Sequence, residues 1–173
     1  DAPDAKQLES TRGEITFDGV AFGYSADRPI LKNVNTRIEP GQTVAFVGGT
    51  GAGKSTMLSL VPRFYDPTAG RVLLDGHDLR EVTLDSLATQ IGMVTQESYL
   101  FHDTIRTNLT YAKPDATQAE IESAAQAANI HNFIMDLPER YNTIVGERGY
   151  RLSGGEKQRI ALARVILKDP KIL

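Results

Sequence analysis

The sequence contains no cysteine. That excludes disulfides, thiolate nucleophiles and cysteine-ligated metal or cluster sites, and leaves a reducing compartment open. No apolar run approaches the ~20 residues of a membrane-spanning helix. Histidine is scarce: His77, His102 and His131 lie far apart and lack metal-ligand spacing. An excess of either charge is also lacking. The formal net charge of −3 gives no global signal for nucleic acid, although a phosphate pocket needs only one or two cations and some backbone N–H groups. No repeat or low-complexity tract occurs, and no signal peptide is visible. The polar start "DAPDAKQLESTRG" reads as a linker from something upstream.

The 173 residues that remain are 40% hydrophobic and 24% charged, a balance suited to one soluble domain with a substantial core. "GEITFDGVAFGY" alternates apolar and polar residues around a break at Gly19, which predicts a strand with a bulge. "ILKNVNTRIE" predicts a second strand ending at Pro40-Gly41. "QTVAFVG" and "IGMVTQ" read as buried strands, and "RVLLDG" as a short one. "STMLSLV" is helical up to Pro62, "TLDSLATQ" is a short helix, and Pro138 closes the helix "HNFIMDL". Thr117 and Glu120 have capping-box spacing ahead of "QAEIESAAQAANI". Strands and helices alternate around a glycine-rich loop, and a helical block then follows. The pattern implies an α/β core with a helical subdomain.

That loop, "GGTGAGKST", satisfies G-x-x-x-x-G-K-[ST] with Gly48, Gly53, Lys54 and Ser55 in the fixed positions. Gly49, Thr50, Gly51, Ala52 and Thr56 complete it. The glycines let the backbone turn its N–H groups inward at phosphate oxygens. Lys54 then neutralises the β- and γ-phosphates, and the Ser55 hydroxyl ligates Mg²⁺. The motif predicts a nucleoside triphosphate without choosing among its many users.

A second motif, "LSGGEKQR", runs from Leu152 to Arg159. Ser153 and Glu156 have capping-box spacing at the head of a long apolar-rich helix, yet Gly154 and Gly155 cost helix propensity and no cap requires them. The pair makes sense where another molecule must approach the backbone. Taken with the phosphate loop, this resembles the nucleotide-binding domain of ABC transporters, whose signature is LSGGQ or LSGGE. The resemblance runs from about Gly13 to the end of the sequence.

It implies a P-loop NTPase (RecA-like) α/β core with an antiparallel β subdomain and an inserted helical subdomain, incomplete at the C-terminus. The implied division is a linker at 1–12, the ATP-binding core at 13–95, the helical subdomain at 96–157, and a return to the core at 158–173. Tyr24 resembles the aromatic that stacks on adenine. Gln96, after "IGMVT", resembles the glutamine that reaches Mg²⁺ and the attacking water. By the same resemblance Ser153, Gly154, Gly155 and Glu156 contact ATP held by a second copy. "IVGERG" and "LFHDTIRTNL" give the exporter flavour. The implied protein binds ATP and Mg²⁺, and pairs head to tail with a second nucleotide-binding domain. It works with a membrane domain fused upstream, at the cytoplasmic face of a membrane, without nucleic acid.

The family's Walker B strand, Asp then Glu after four apolar residues, has no match in the sequence, nor does its switch histidine. "DPKIL" resembles the turn and first residues of that strand, so the chain reads as truncated there, with weak or moderate Mg-ATP binding and negligible turnover expected. The missing strand would also leave the phosphate-loop strand with an unpaired edge. Two other readings are a non-hydrolysing nucleotide-binding or assembly module, and an ABC-type ATPase acting on DNA. The short helical block between the motifs, without heptads, argues against the DNA-acting class. Asp75 and Asp78 read as turn chemistry, and Arg148 and Arg151 as a solvated face.

Overall fold

The computed structural model describes every residue of the chain except Glu9, Ala26 and Arg148. The residues fall into two units, Asp1–Ile91 with Ile172, and Gly92–Lys171 with Leu173.

The first unit is built on β1 (Ile15–Phe22), whose Ile15, Phe17, Val20 and Phe22 are buried. Phe17 pairs with Thr36 and Val20 with Val34, so β1 carries one extra residue there. This is the bulge expected at Gly19, whose φ is 61°. β2 (Leu31–Ile38), β3 (Ala69–Leu74) and β4 (His77–Asp78) complete an antiparallel sheet in the order β2-β1-β3-β4. Its apolar face packs with Met57 and Leu60 of α1 (Lys54–Leu60) and Leu87 of α2 (Leu84–Gln90). Pro62 follows α1 closely, and Thr83 caps α2 by accepting from the Ser86 N–H. The N-terminal stretch lies against this unit. The Lys6 N–H donates to the Glu81 carbonyl and the Thr83 N–H to the Lys6 carbonyl, while Thr11 Oγ1 donates to Gln90 Oε1.

Two expected strands do not form. No ladder pairs residues 42–48 among the described residues, and Val44 and Val47 are exposed. In 91–96 the pairing is a single parallel bridge, Ile91 to Ile172. The apolar runs were legible, but a strand exists only where a neighbouring backbone accepts and donates its hydrogen bonds, and among the described residues no ladder runs along either segment.

The second unit is helical: α3 (Ile105–Thr110), α4 (Gln118–Ala127), α5 (His131–Asp136) and α6 (Gly154–Lys168). Ile160, Ala163 and Leu167 form the buried stripe of α6, at helical spacing. Ile105 and Leu109 of α3, and Ile121, Ala124 and Ala125 of α4, share a core with that stripe. α4 begins at Thr117 with both halves of its capping box formed. β5 (Asp103–Thr104) pairs antiparallel with β6 (Ile144–Val145). The two stretches with exporter flavour therefore meet as one small ladder. A Cβ on Gly149 would lie 2.5 Å from the Ile144 carbonyl oxygen, which explains that glycine.

Candidate functional site

The phosphate loop leads into α1, and its turn depends on Gly53. That residue has φ 88° and caps the helix, and a Cβ there would lie 2.9 Å from Leu31 Cδ2. The Ala52 N–H closes the turn on the Gly49 carbonyl at 3.2 Å, and the first helical bond runs from the Met57 N–H to the Gly53 carbonyl at 2.8 Å. The N–H groups of Lys54, Ser55 and Thr56 precede that first full helical bond and have no acceptor within the helix. Lys54 Nζ donates to the carbonyls of Gly48 and Gly49 at 2.7 and 2.8 Å, so its ammonium stands at the loop mouth. Gly51, Ala52, Gly53, Lys54, Ser55 and Thr56 line an open cavity of about 180 Å³ with Ile30. Ser55 and Thr50 are exposed. Free N–H donors, one ammonium and an exposed hydroxyl around a concavity form a donor set that suits a polyphosphate with a hard cation.

Tyr24 belongs to the same unit and reaches this loop, its Oη lying 3.4 Å from Thr56 Oγ1. The residue is 57% exposed. It makes T-shaped contacts with Phe22 at 5.1 Å and with Tyr65 at 5.2 Å. Tyr24 and the phosphate loop are thus brought together.

Gln96, Ser153, Gly154, Gly155 and Glu156 lie on the second unit. Gln96 is exposed, just ahead of residues 99–104. Ser153 caps α6: its Oγ accepts the Glu156 N–H at 3.3 Å, and Glu156 Oε2 accepts the Ser153 N–H at 2.6 Å. A Cβ on Gly154 or Gly155 would meet no atom within 4 Å, and neither has positive φ. Among the described residues nothing requires glycine at either position.

Long-range pairing hid one network from the sequence. Asn108 is fully buried and accepts the Phe101 N–H at Oδ1, while its Nδ2 donates to the Phe101 and Thr104 carbonyls at 3.0 Å each. Arg164 of α6 donates from Nε to the Asn108 carbonyl at 2.7 Å and from Nη2 to Asn108 Oδ1 at 3.1 Å. Its guanidinium also lies over the Phe101 ring. Burial holds this guanidinium below its ordinary pKa, although nothing near neutrality deprotonates it. The α6 helix that opens with the signature therefore grips the segment that follows Gln96. The only sequence signal was an apolar helix with one arginine among its inner residues.

Of the tempting residues Asp78 resolves within its turn, whereas Asp75, also read as turn chemistry, binds backbone more than 60 residues away. Asp75 accepts the N–H groups of Arg12, Gly13 and Glu14, and Asp78 accepts from Arg80. His131 Nδ1 bonds the Tyr141 hydroxyl at 2.8 Å. Burial, with the Glu122 carboxylate, pushes the Tyr141 phenol up to about 12. Arg151 is exposed, and Arg148 lies outside the described residues.

Comparison with known proteins completes the picture. The family model described as ABC transporter matches residues 31–173. YgaD of Bacillus subtilis, named for multidrug export as an ATP-binding/permease protein, is 53% identical over all of this chain. An ATP-dependent lipid A-core flippase of Syntrophus aciditrophicus is 50% identical over 173 residues, again all of the chain. A solved structure described as a bacterial Atm1-family ABC exporter with ATP bound superposes over 98% of the chain, with a TM-score of 0.93 and 50% identity. The chain spans about 30% of the length of each of these proteins. A family match over most of its residues, with half-identity across the whole of it, places the chain in the ABC transporter family.

Proposed function

We propose that the chain is the ATP-binding domain of an ABC exporter, coupling ATP binding and hydrolysis to movement of a solute across a membrane. The phosphate loop carries the proposal: N–H groups without helical acceptors, Lys54 and Ser55 line one cavity with Tyr24 beside it. On this reading the loop from Gly48 to Thr56 holds the triphosphate and Lys54 leaves its carbonyls to meet the β- and γ-phosphates. Tyr24 stacks on adenine. By the family resemblance Ser55 and Gln96 would each help hold Mg²⁺, and the Gln96 amide would also orient the attacking water. Mg²⁺, when bound there, would offset the charge of the phosphates. The residues named here supply binding and positioning of the nucleotide.

Ser153, Gly154, Gly155 and Glu156 face the ATP of a second copy, in a head-to-tail pair. The open space at both glycines supports this, because a close approach from outside explains what packing inside does not. The further architecture is a RecA-like core with an antiparallel β subdomain and an inserted helical subdomain. The division is 1–12, 13–95, 96–157 and 158–173, with a membrane domain fused upstream and the whole working at the cytoplasmic face. Relatives named for drugs and for lipid A-core share half of these residues, which supports placing cargo choice outside this region.

Titration of the chain with a fluorescent ATP analogue and Mg²⁺ tests the proposal. Saturable binding is expected, weakened about tenfold or more in Lys54→Ala through loss of a charge-assisted hydrogen bond. No saturable binding, or Lys54→Ala binding like the parent, overturns it.

A further inference from the structure

We propose that Tyr65 is a positioning residue for the nucleotide base: it fixes the ring plane of Tyr24 and so raises affinity for ATP over a bare triphosphate chain. The inference rests on the reading of Tyr24 as the base-stacking residue.

Three rings carry it. Phe22, at the end of β1, is buried and anchors the group to the core. Tyr24 stands edge-to-face with Phe22 at 86° and with Tyr65 at 82°. Phe22 and Tyr65 also touch, with centroids 5.5 Å apart. A single edge-to-face contact leaves a ring free to tilt about it. Two contacts from different neighbours remove that freedom, and aromatic pairs prefer this geometry. Yet Tyr24 and Tyr65 remain 57% and 46% exposed. A ring held in orientation and still open to solvent suits stacking by a planar ligand. The ligand then loses less entropy than it would by ordering a free side chain.

The mounting of Tyr65 is equally fixed. Arg63 has φ 58° and its Nε pairs with Asp66 Oδ1 at 2.8 Å, closing the turn in which Tyr65 lies. On one side the Phe64 N–H donates to the Ser59 carbonyl. On the other, both the N–H and the hydroxyl of Thr68 donate to the Ala21 carbonyl at 2.9 Å. The turn is therefore tied to the strand that delivers Phe22 and, beyond it, Tyr24. The Tyr65 hydroxyl has no hydrogen-bond partner among the described residues, so the ring carries the effect and phenylalanine should serve as well.

The test compares two ligands, Mg-ATP and Mg-tripolyphosphate, by calorimetric titration of the chain. Tyr65→Leu is expected to weaken ATP binding about two- to tenfold, the range of one aromatic pair, and to leave tripolyphosphate within about twofold. Tyr65→Phe should match the parent. Unchanged tripolyphosphate binding also shows that the variant is folded. The inference is overturned if Tyr65→Leu binds ATP like the parent, if both ligands weaken together, or if Tyr65→Phe fails to restore ATP. Tyr24→Leu separates the two ideas. If it lowers ATP selectively and Tyr65→Leu does not, the reading of Tyr24 stands and only the role of Tyr65 falls. If Tyr24→Leu changes neither ligand, both fall.

Discussion

Asp75 follows β3 with a left-handed backbone, φ 48°, and turns its carboxylate onto the backbone before β1. It accepts the Arg12 N–H at 2.5 Å and the Glu14 N–H at 2.9 Å, with Gly13 at 3.4 Å. Burial raises its pKa, but the three backbone donors and the Arg12 charge outweigh burial and hold it below the ordinary carboxylate range. The folded value is thus lower than the unfolded one. The stabilisation is present above the unfolded pKa of about 4 and is lost as pH falls through the folded value. Asp75→Asn should cost about 1–2 kcal/mol at pH 7. Urea denaturation should show that gap narrowing below about pH 4; a gap of the same size at pH 3 would refute the role of the charge. Asn108 is the second critical residue. Removing it leaves the Phe101 N–H and the Phe101 and Thr104 carbonyls without these partners, and takes an acceptor from Arg164. Asn108→Ala should cost roughly 3 kcal/mol or more in chemical denaturation, since several buried polar groups lose partners at once. A loss below about 1 kcal/mol would show that water replaces the side chain.

Among elements, α6 shows a conflict between local stability and the proposed use of its N-terminus. Gly154 and Gly155 occupy its first turn with negative φ and open space where a Cβ would stand. Alanine there reduces the entropy lost on folding. Gly154→Ala or Gly155→Ala should therefore raise stability by up to about 0.5–1 kcal/mol each. Thermal melting measures this, and a lowered melting temperature in both variants would mean that a constraint within the chain holds the glycines. The two capping boxes, the Gly19 bulge, the short helix α2 and the stop at Pro62 were all legible in the sequence, because each is decided within a few residues. The motif loops were legible for the same reason. The strands expected at 42–48 and 91–96 were not, because pairing depends on backbone far along the chain. The Asn108–Arg164 network was missed likewise, its partners lying 56 residues apart in sequence.

At the scale of the whole molecule, the missing ladder at 42–48 has a solution consequence. Val44 and Val47 are exposed, Val47 by 93%, on a segment whose composition is that of a buried strand. Residues 43–47 lie in no ladder among the described residues, and their backbone offers an edge on which a second copy of the chain can pair. The net charge of −3 opposes such contact only weakly. The isolated chain should therefore self-associate with rising concentration, and Val47→Lys should suppress this by placing a charge on the edge without touching the fixed positions of the phosphate loop. Sedimentation velocity over a hundredfold concentration range distinguishes the outcomes. Association in the parent and a monomer in Val47→Lys is the expected pair. A parent that stays monomeric throughout refutes the open edge, and equal association in both chains moves the contact to another surface.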